Sequence, residues 1–337
     1  MTAGLPWEAL GGEIHDAVAQ GKLERVRALL ADQPELVGSR GLNDLTPLHM
    51  ACLYDQPALV ELLLVRGADL EARSGGTQTP LHLCAQRTVL GSVQQLLARG
   101  ADLRARDAAG LTPLHHAMFS RNPEIARALI AAGADLRARD SAGRTPLHAA
   151  SGAHNVAVAG VVIDRGADVN ARDTEGVTPL GAALVKGSNR AGETLTLLIG
   201  RGARLDVTDR EGRPLVLAAL AADQVAAAEV LVGRGADVRG RDREGRTALH
   251  AAVIKRYGEF ARLLLDNGVE VNAKDAEGLT ALHYAVWDGR ADLADLLLRA
   301  GAQINERDAR GLTPLWYATR LSRTGTADLL KDRGGTE

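Results

Sequence analysis

TPLHHAMFSRNPEIARALIAAG, residues 112–133, decides how the rest of this 337-residue chain is read. Thr112 suits a helix N-cap, because its hydroxyl accepts from an otherwise orphaned N–H of the first turn, and Pro113 at the first helical position loses nothing by lacking an N–H. The spacing predicts a short helix from Pro113 to near Arg121, with Leu114, Ala117 and Met118 on one apolar face. Asn122 and Pro123 repeat the start signal, and Ile125, Ala126, Leu129 and Ile130 form the buried stripe of a second helix. Gly133 ends it, where a left-handed residue turns the chain without a Cβ penalty.

The same signature recurs on both sides of this stretch. It stands as Thr46-Pro47-Leu48-His49, Thr79-Pro80-Leu81-His82, Thr145-Pro146-Leu147-His148 and Thr178-Pro179-Leu180-Gly181, always at steps of 33 residues. Steps of 35 and 34 then lead to Arg213-Pro214-Leu215-Val216 and Thr247-Ala248-Leu249-His250, and steps of 33 to Thr280-Ala281-Leu282-His283 and Thr313-Pro314-Leu315-Trp316. The chain resembles the ankyrin repeat from about residue 12 to its C-terminus, which leaves nothing over for a separate catalytic domain. The resemblance implies an all-α solenoid of stacked helix-turn-helix units with projecting β-turn or hairpin fingers. We divide it into an N-terminal extension (1–11), an N-terminal capping repeat (12–40), eight repeats (41–307) and a C-terminal capping repeat (308–337).

Composition agrees with such an array. Hydrophobic residues make up 46% of the chain, yet only three Trp, four Tyr and two Phe are present, so the core must be a thin Ala/Leu layer built by neighbour stacking. Pairs such as Ala149/Ala150 and Ala251/Ala252 let adjacent helices approach closely. The ends become polar: the outer helix reads Leu296–Leu298 in one copy and Leu329-Leu330-Lys331 in the last. A net charge of −2 gives no global field for a polyanion or a membrane surface, and no apolar run is long enough to span a bilayer. The start lacks the basic and apolar regions of a secretory signal, so the expected compartment is the cytoplasm.

Two places break the rhythm. The fifth copy carries three extra residues within Lys186–Glu193, and the sixth reads as lacking one residue before Pro214 and gaining one near Asp223, an irregular or hinged stretch over 186–224. The turn before each signature usually ends in glycine, but Asp44 and Thr77 hold that place in two copies. Aspartate tolerates a left-handed backbone and β-branched threonine does not, so the Ser74-Gly75-Gly76 loop is expected to rearrange.

No motif carries a reaction. The chain has no GxxxxGK[ST], HExxH or GxSxG, and its two cysteines, Cys52 and Cys84, fall in small-residue slots of first helices, where packing is expected and a redox role is the alternative. His49, His82, His115, His148, His250 and His283 occupy one repeated slot, with His15 as their counterpart in the cap. The resemblance implies that they tie neighbouring turns together, and ligands spread one per repeat do not make a zinc site. No cofactor and no metal are expected. An enzyme would need a site built from irregular residues such as His116, His154 and the Lys186–Glu193 loop.

Function is expected on the surface. The resemblance implies that partners bind the concave face formed by first helices and the fingers beside it. Seven and eight residues after the signature threonine stand Leu53/Tyr54, Gln86/Arg87, Phe119/Ser120, Gly152/Ala153, Val185/Lys186, Leu220/Ala221, Ile254/Lys255, Trp287/Asp288 and Arg320/Leu321. An apolar stripe rimmed by charge in solvent-facing slots marks an interaction surface, with partial burial by curvature or neighbours as the alternative. The partner-binding set is therefore Leu53, Tyr54, Arg87, Phe119, Lys186, Ile254, Lys255 and Trp287, together with the finger arginines Arg144 and Arg246. Tyr54, Phe119 and Trp287 are its anchors, since aromatic residues dominate binding hot spots. Arg239, Arg241 and Arg243 crowd one finger and could grip a carboxylate or phosphate, but Asp237, Asp242 and Glu244 are interleaved with them and could neutralise it. The function this supports is a non-catalytic, monomeric adaptor for a protein or peptide. The alternatives are a bacterial effector using the same surface, or phospholigand or nucleic-acid binding by the Arg239–Arg246 finger.

Overall fold

The computed structural model describes residues 12–184 and 190–337. Their regular structure is helical, with twenty α-helices, two short 3-10 turns and only isolated bridges between Thr208 and Pro214 and between Arg241 and Thr247. The chain forms two compact units, residues 1–174 and 175–337. In the first, a helix pair (Glu13–Ala19 and Leu23–Asp32) is followed by repeats one to four, whose first helices are Pro47–Leu53, Pro80–Ala85, Pro113–Ala117 and Pro146–Gly152. The second holds repeats five to nine, with first helices Pro179–Ala182, Leu215–Ala221, Ala248–Ile254, Ala281–Trp287 and Pro314–Arg320.

Each first helix starts as its sequence dictates. Thr46, Thr79, Thr112, Thr145, Thr247 and Thr280 are N-caps in extended backbone, and the residue three positions on is a histidine that closes a reciprocal capping box. Asn122 caps the second helix of repeat three through the Glu124 amide at 3.0 Å, and Ile125, Ala126 and Leu129 are buried while Ile130 is half-buried. The first helix of that repeat stops at Ala117, earlier than its apolar spacing suggests, because a turn begins at Met118. Gly133 and its eight counterparts all have left-handed backbone, which releases the chain from the second helix.

The core is the expected Ala/Leu layer. Leu48, Leu81, Leu114 and Leu147 are fully buried at one slot, and of the described aromatic side chains only Phe260 is buried as deeply. Within each unit first helices pack on the second helix of their own repeat and on first helices of adjacent repeats, so stability accumulates along each stack and not in one central core.

Two sequence readings need correction. The sixth repeat lacks no residue: its first helix begins at Leu215 with Pro214 in the N-cap position, so Pro214 stands where other repeats have threonine. Counting the N-cap as slot zero, slot nine is left-handed at Asp55, His154, Asp223, Arg256, Gly289 and Ser322. Asp223 joins that set only if Pro214 is slot zero. The face slots of repeat six are therefore Ala221 and Ala222, and Leu220 is buried in the core. The second correction concerns Thr77, which does not rearrange its loop. It keeps the left-handed turn (φ 59°), its amide donating to the Ser74 carbonyl at 2.8 Å as Gly110 does to Asp107 at 2.9 Å. The turn is held by further bonds, the Ser74 amide donating to the Gln78 carbonyl at 3.0 Å and the Arg73 guanidinium to the Thr77 carbonyl at 2.8 Å, and these keep a β-branched residue in the conformation.

Candidate partner-binding surface

The signature histidines are consumed by the scaffold. The Thr46 amide and hydroxyl lie 3.2 and 2.8 Å from His49 Nδ1, and His49 Nε2 lies 2.9 Å from the Gln78 carbonyl of the next repeat. An amide can only donate and a carbonyl can only accept, so Nδ1 is the acceptor and Nε2 carries the proton. His82, His115, His250 and His283 repeat the arrangement onto Leu111, Arg144, Leu279 and Leu312, and His15 reaches the Leu45 carbonyl from the cap. Burial holds all of these imidazoles below their ordinary pKa, and His82 falls furthest, to about 4, through burial and then the neighbouring His116.

The finger carboxylates follow a rule that the sequence reading missed. In repeats three, four and six to nine an aspartate stands five residues before slot zero, and its Oδ1 accepts two amides of its own turn, as Asp140 does from Ala142 and Arg144. What meets Oδ2 alternates. In repeats four, six and seven it is the arginine one residue before slot zero: Arg144 on Asp140 at 2.8 Å, Arg213 on Asp209 at 2.7 Å and Arg246 on Asp242 at 2.9 Å. In repeats three, eight and nine leucine replaces that arginine and the residue at slot four reaches up instead: His116 to Asp107 at 2.8 Å, Tyr284 to Asp275 at 2.7 Å and Tyr317 to Asp308 at 2.7 Å. Pairs such as Arg246 with Ala251, set against Leu279 with Tyr284, show this exchange to anyone reading two columns of the repeat together.

Arg144 and Arg246, expected to face a partner, are thereby held by their own repeats. Arg213 and Arg246 also bind Glu211 and Glu244, so the interleaved acids neutralise these two arginines. Asp242 makes its pair from a buried position, its side chain being only 8% exposed. A second missed set stands six residues before slot zero. Arg40, Arg73, Arg139 and Arg241 each aim one guanidinium nitrogen at a carbonyl of their own finger and at a carbonyl 33 residues on, stitching neighbouring fingers together. The signal was the recurrence of a cation at that place through Arg106, Arg172, Lys274 and Arg307.

The aromatic and aliphatic members of the expected set stand in the open. Tyr54, Phe119, Ile254 and Trp287 are 42%, 55%, 41% and 48% exposed, and Leu53 is half-buried. Trp287 is also braced: its ring stacks on Tyr317 with centroids 5.4 Å apart, and its carbonyl accepts from Arg323 at 3.0 Å. Arg87 is half-buried, and its Nε meets no hydrogen-bond partner among the described residues. Lys255 is held by Asp223, which also accepts from Tyr257. Lys186, with Val185 and residues 187–189 of the Lys186–Glu193 loop, lies outside the described residues.

With histidine-capped first helices and interlocked fingers recurring in both units, the comparison with known families is direct. A family model described as ankyrin repeats (3 copies) matches residues 14–107, 81–173 and 181–275, and another, described as ankyrin repeats (many copies), matches 264–318. The chain belongs to the ankyrin-repeat family. No curated protein matches it. Ankyrin repeats in general are protein-interaction scaffolds and typically non-catalytic. In this ankyrin-repeat chain two of the groups weighed for chemistry are tied up. His116 binds Asp107, and Cys52 is buried beside Cys84, burial and that neighbour pushing its thiol pKa well up. No group of three or more metal-ligating side chains converges among the described residues, and no described helix is long and apolar enough to cross a membrane.

Proposed function

We propose that the protein is a non-catalytic ankyrin-repeat adaptor that binds a protein or peptide through the exposed ends of its first helices and the trough between them and the fingers. One observation carries the reading. Among the described residues seven large hydrophobic side chains are exposed, and five of them, Tyr54, Phe119, Ile254, Trp287 and Leu321, fall in slots seven and eight of their repeats. Chance would scatter them over both helices, whereas concentration in the solvent-facing slots of one helix is the pattern of an interaction surface. Residues 12–40 and 308–337 act as the polar caps, and the adaptor works as a monomer in the cytoplasm.

Phospholigand or nucleic-acid binding through the Arg239–Arg246 finger receives no comparable support, because Arg246 is paired with Asp242 and Glu244, and Arg241 is spent on backbone carbonyls. The test is affinity capture from native lysate, comparing the wild-type chain with a Tyr54→Ala/Phe119→Ala/Trp287→Ala variant whose helicity is checked by circular dichroism. The variant is expected to lose the partners that the wild type recovers. Equal recovery of the same partner by both would overturn the surface assignment.

A further inference from the structure

The exchange between arginine and slot four has a consequence for shape. Where Tyr284 and Tyr317 satisfy the finger aspartates, their rings occupy the trough between fingers and first helices. In repeats six and seven the arginines do that work, slot four is alanine, and the space stays open. A hollow of about 300 Å³ lies there, with Leu217, Ala221, Ala251 and Ile254 as its apolar part. Its rim is formed by the fingers, Arg213 with Glu211 on one side and Arg246 with Glu244 on the other.

We infer that this hollow is a specificity pocket for an extended protein segment that inserts one leucine- to phenylalanine-sized side chain and places a carboxylate beside it. The inference rests on the adaptor reading above and names the chemistry of its partner. The volume holds one large side chain and not a helix. Of the lining cations, Arg213 and Arg246 are neutralised by their own carboxylates and Lys255 is held by Asp223. Arg243 lines the same hollow, is exposed, and makes no ion pair among the described residues. It is therefore the cation left to receive a carboxylate from the partner. A polyanion is a poor fit, since Glu211, Asp242 and Glu244 line the hollow as well.

The repeats themselves supply a variant that closes the pocket without disturbing the fold. Arg246→Leu/Ala251→Tyr copies the Leu279/Tyr284 arrangement, keeps Asp242 satisfied through a phenol, and fills the hollow. The probe is a displayed library of random dodecapeptides selected on the full wild-type chain. Selected peptides are expected to share one apolar position followed closely by Asp or Glu, and to shift the Ile254 methyl resonances. They should bind the exchange variant at least about tenfold more weakly, the loss expected for one buried apolar side chain. Arg243→Ala should abolish the preference for the acidic position and leave the apolar one. The exchange variant must unfold in urea at the wild-type midpoint, and Ala251→Leu serves as a second closing variant if it does not.

Unchanged affinity for both closing variants overturns the pocket, and so does recovery of no peptides above background. Oligonucleotide binding at Ile254 in place of peptides would overturn it as well. The two readings fail separately. A lysate partner lost by the Tyr54/Phe119/Trp287 variant but retained by Arg246→Leu/Ala251→Tyr leaves the adaptor standing and removes only the pocket.

Discussion

Each signature imidazole is neutral because of the company it keeps. Its Nδ1 accepts from threonine, so adding a proton there would set two donors against each other inside the stack. The folded-state pKa values are lowered, so the unfolded chain binds more protons between the folded values and about 6.5. Stability from these ties is therefore complete above about pH 6.5 and is lost as pH falls towards the folded values, about 4 for His82. The urea midpoint is expected to be flat from pH 8 to 6.5 and then to decline steadily down to pH 4. A midpoint unchanged down to pH 5 would show that the stack tolerates the charged rings. Which residues make these ties was readable from the repeated histidine slot. The further depression of His82 was not, because it needs the ring of His116 in the next repeat, edge-on with centroids 5.2 Å apart.

At the scale of the element, a finger is a turn whose aspartate must be satisfied twice. Oδ1 is served by the turn's own amides, which any sequence with that backbone supplies. Oδ2 needs a side chain, and the arginine and the slot-four group are alternatives for it. Tyr284→Phe is expected to cost about 1–2 kcal/mol, since it leaves a carboxylate oxygen without its donor. Adding Leu279→Arg should recover much of that loss, with a coupling energy of at least about 1 kcal/mol in a double-mutant cycle read by urea denaturation. Independent, additive effects would show that the two groups are not exchangeable. Arg144 and Arg246 illustrate why finger residues are hard to assign from sequence. Their charge is visible in the chain, but their orientation depends on whether the repeat leaves them an internal carboxylate, and here it does.

Over the whole molecule, ties between neighbours set which repeats open first. Repeats five and six lack several: Gly181 and Leu217 hold the histidine slot, Pro214 supplies no capping hydroxyl, and Thr208 stands in the register position of the stitching cation. Because a repeat array is stabilised by the sum of nearest-neighbour terms, missing ties lower protection locally. Native-state hydrogen exchange should show residues 179–183 and 215–221 opening at a free energy at least about 1 kcal/mol below residues 281–287, one lost buried tie being worth that much. Pro214→Thr/Leu217→His should narrow the gap. Uniform protection across the second unit would count against this ranking.

The sequence alone determined the helical repeat class, the period and the slots of the Ala/Leu core, because those follow from caps, apolar spacing and glycine placement within some thirty residues. Tertiary structure alone decided the register of repeat six, the retention of a left-handed Thr77, the capture of Arg144, Arg246 and Lys255 by internal carboxylates, and the open hollow beside Ala251. The reason is one of distance along the chain. Backbone start and stop signals are local, whereas the fate of a long charged side chain depends on what neighbouring turns and repeats place within its reach.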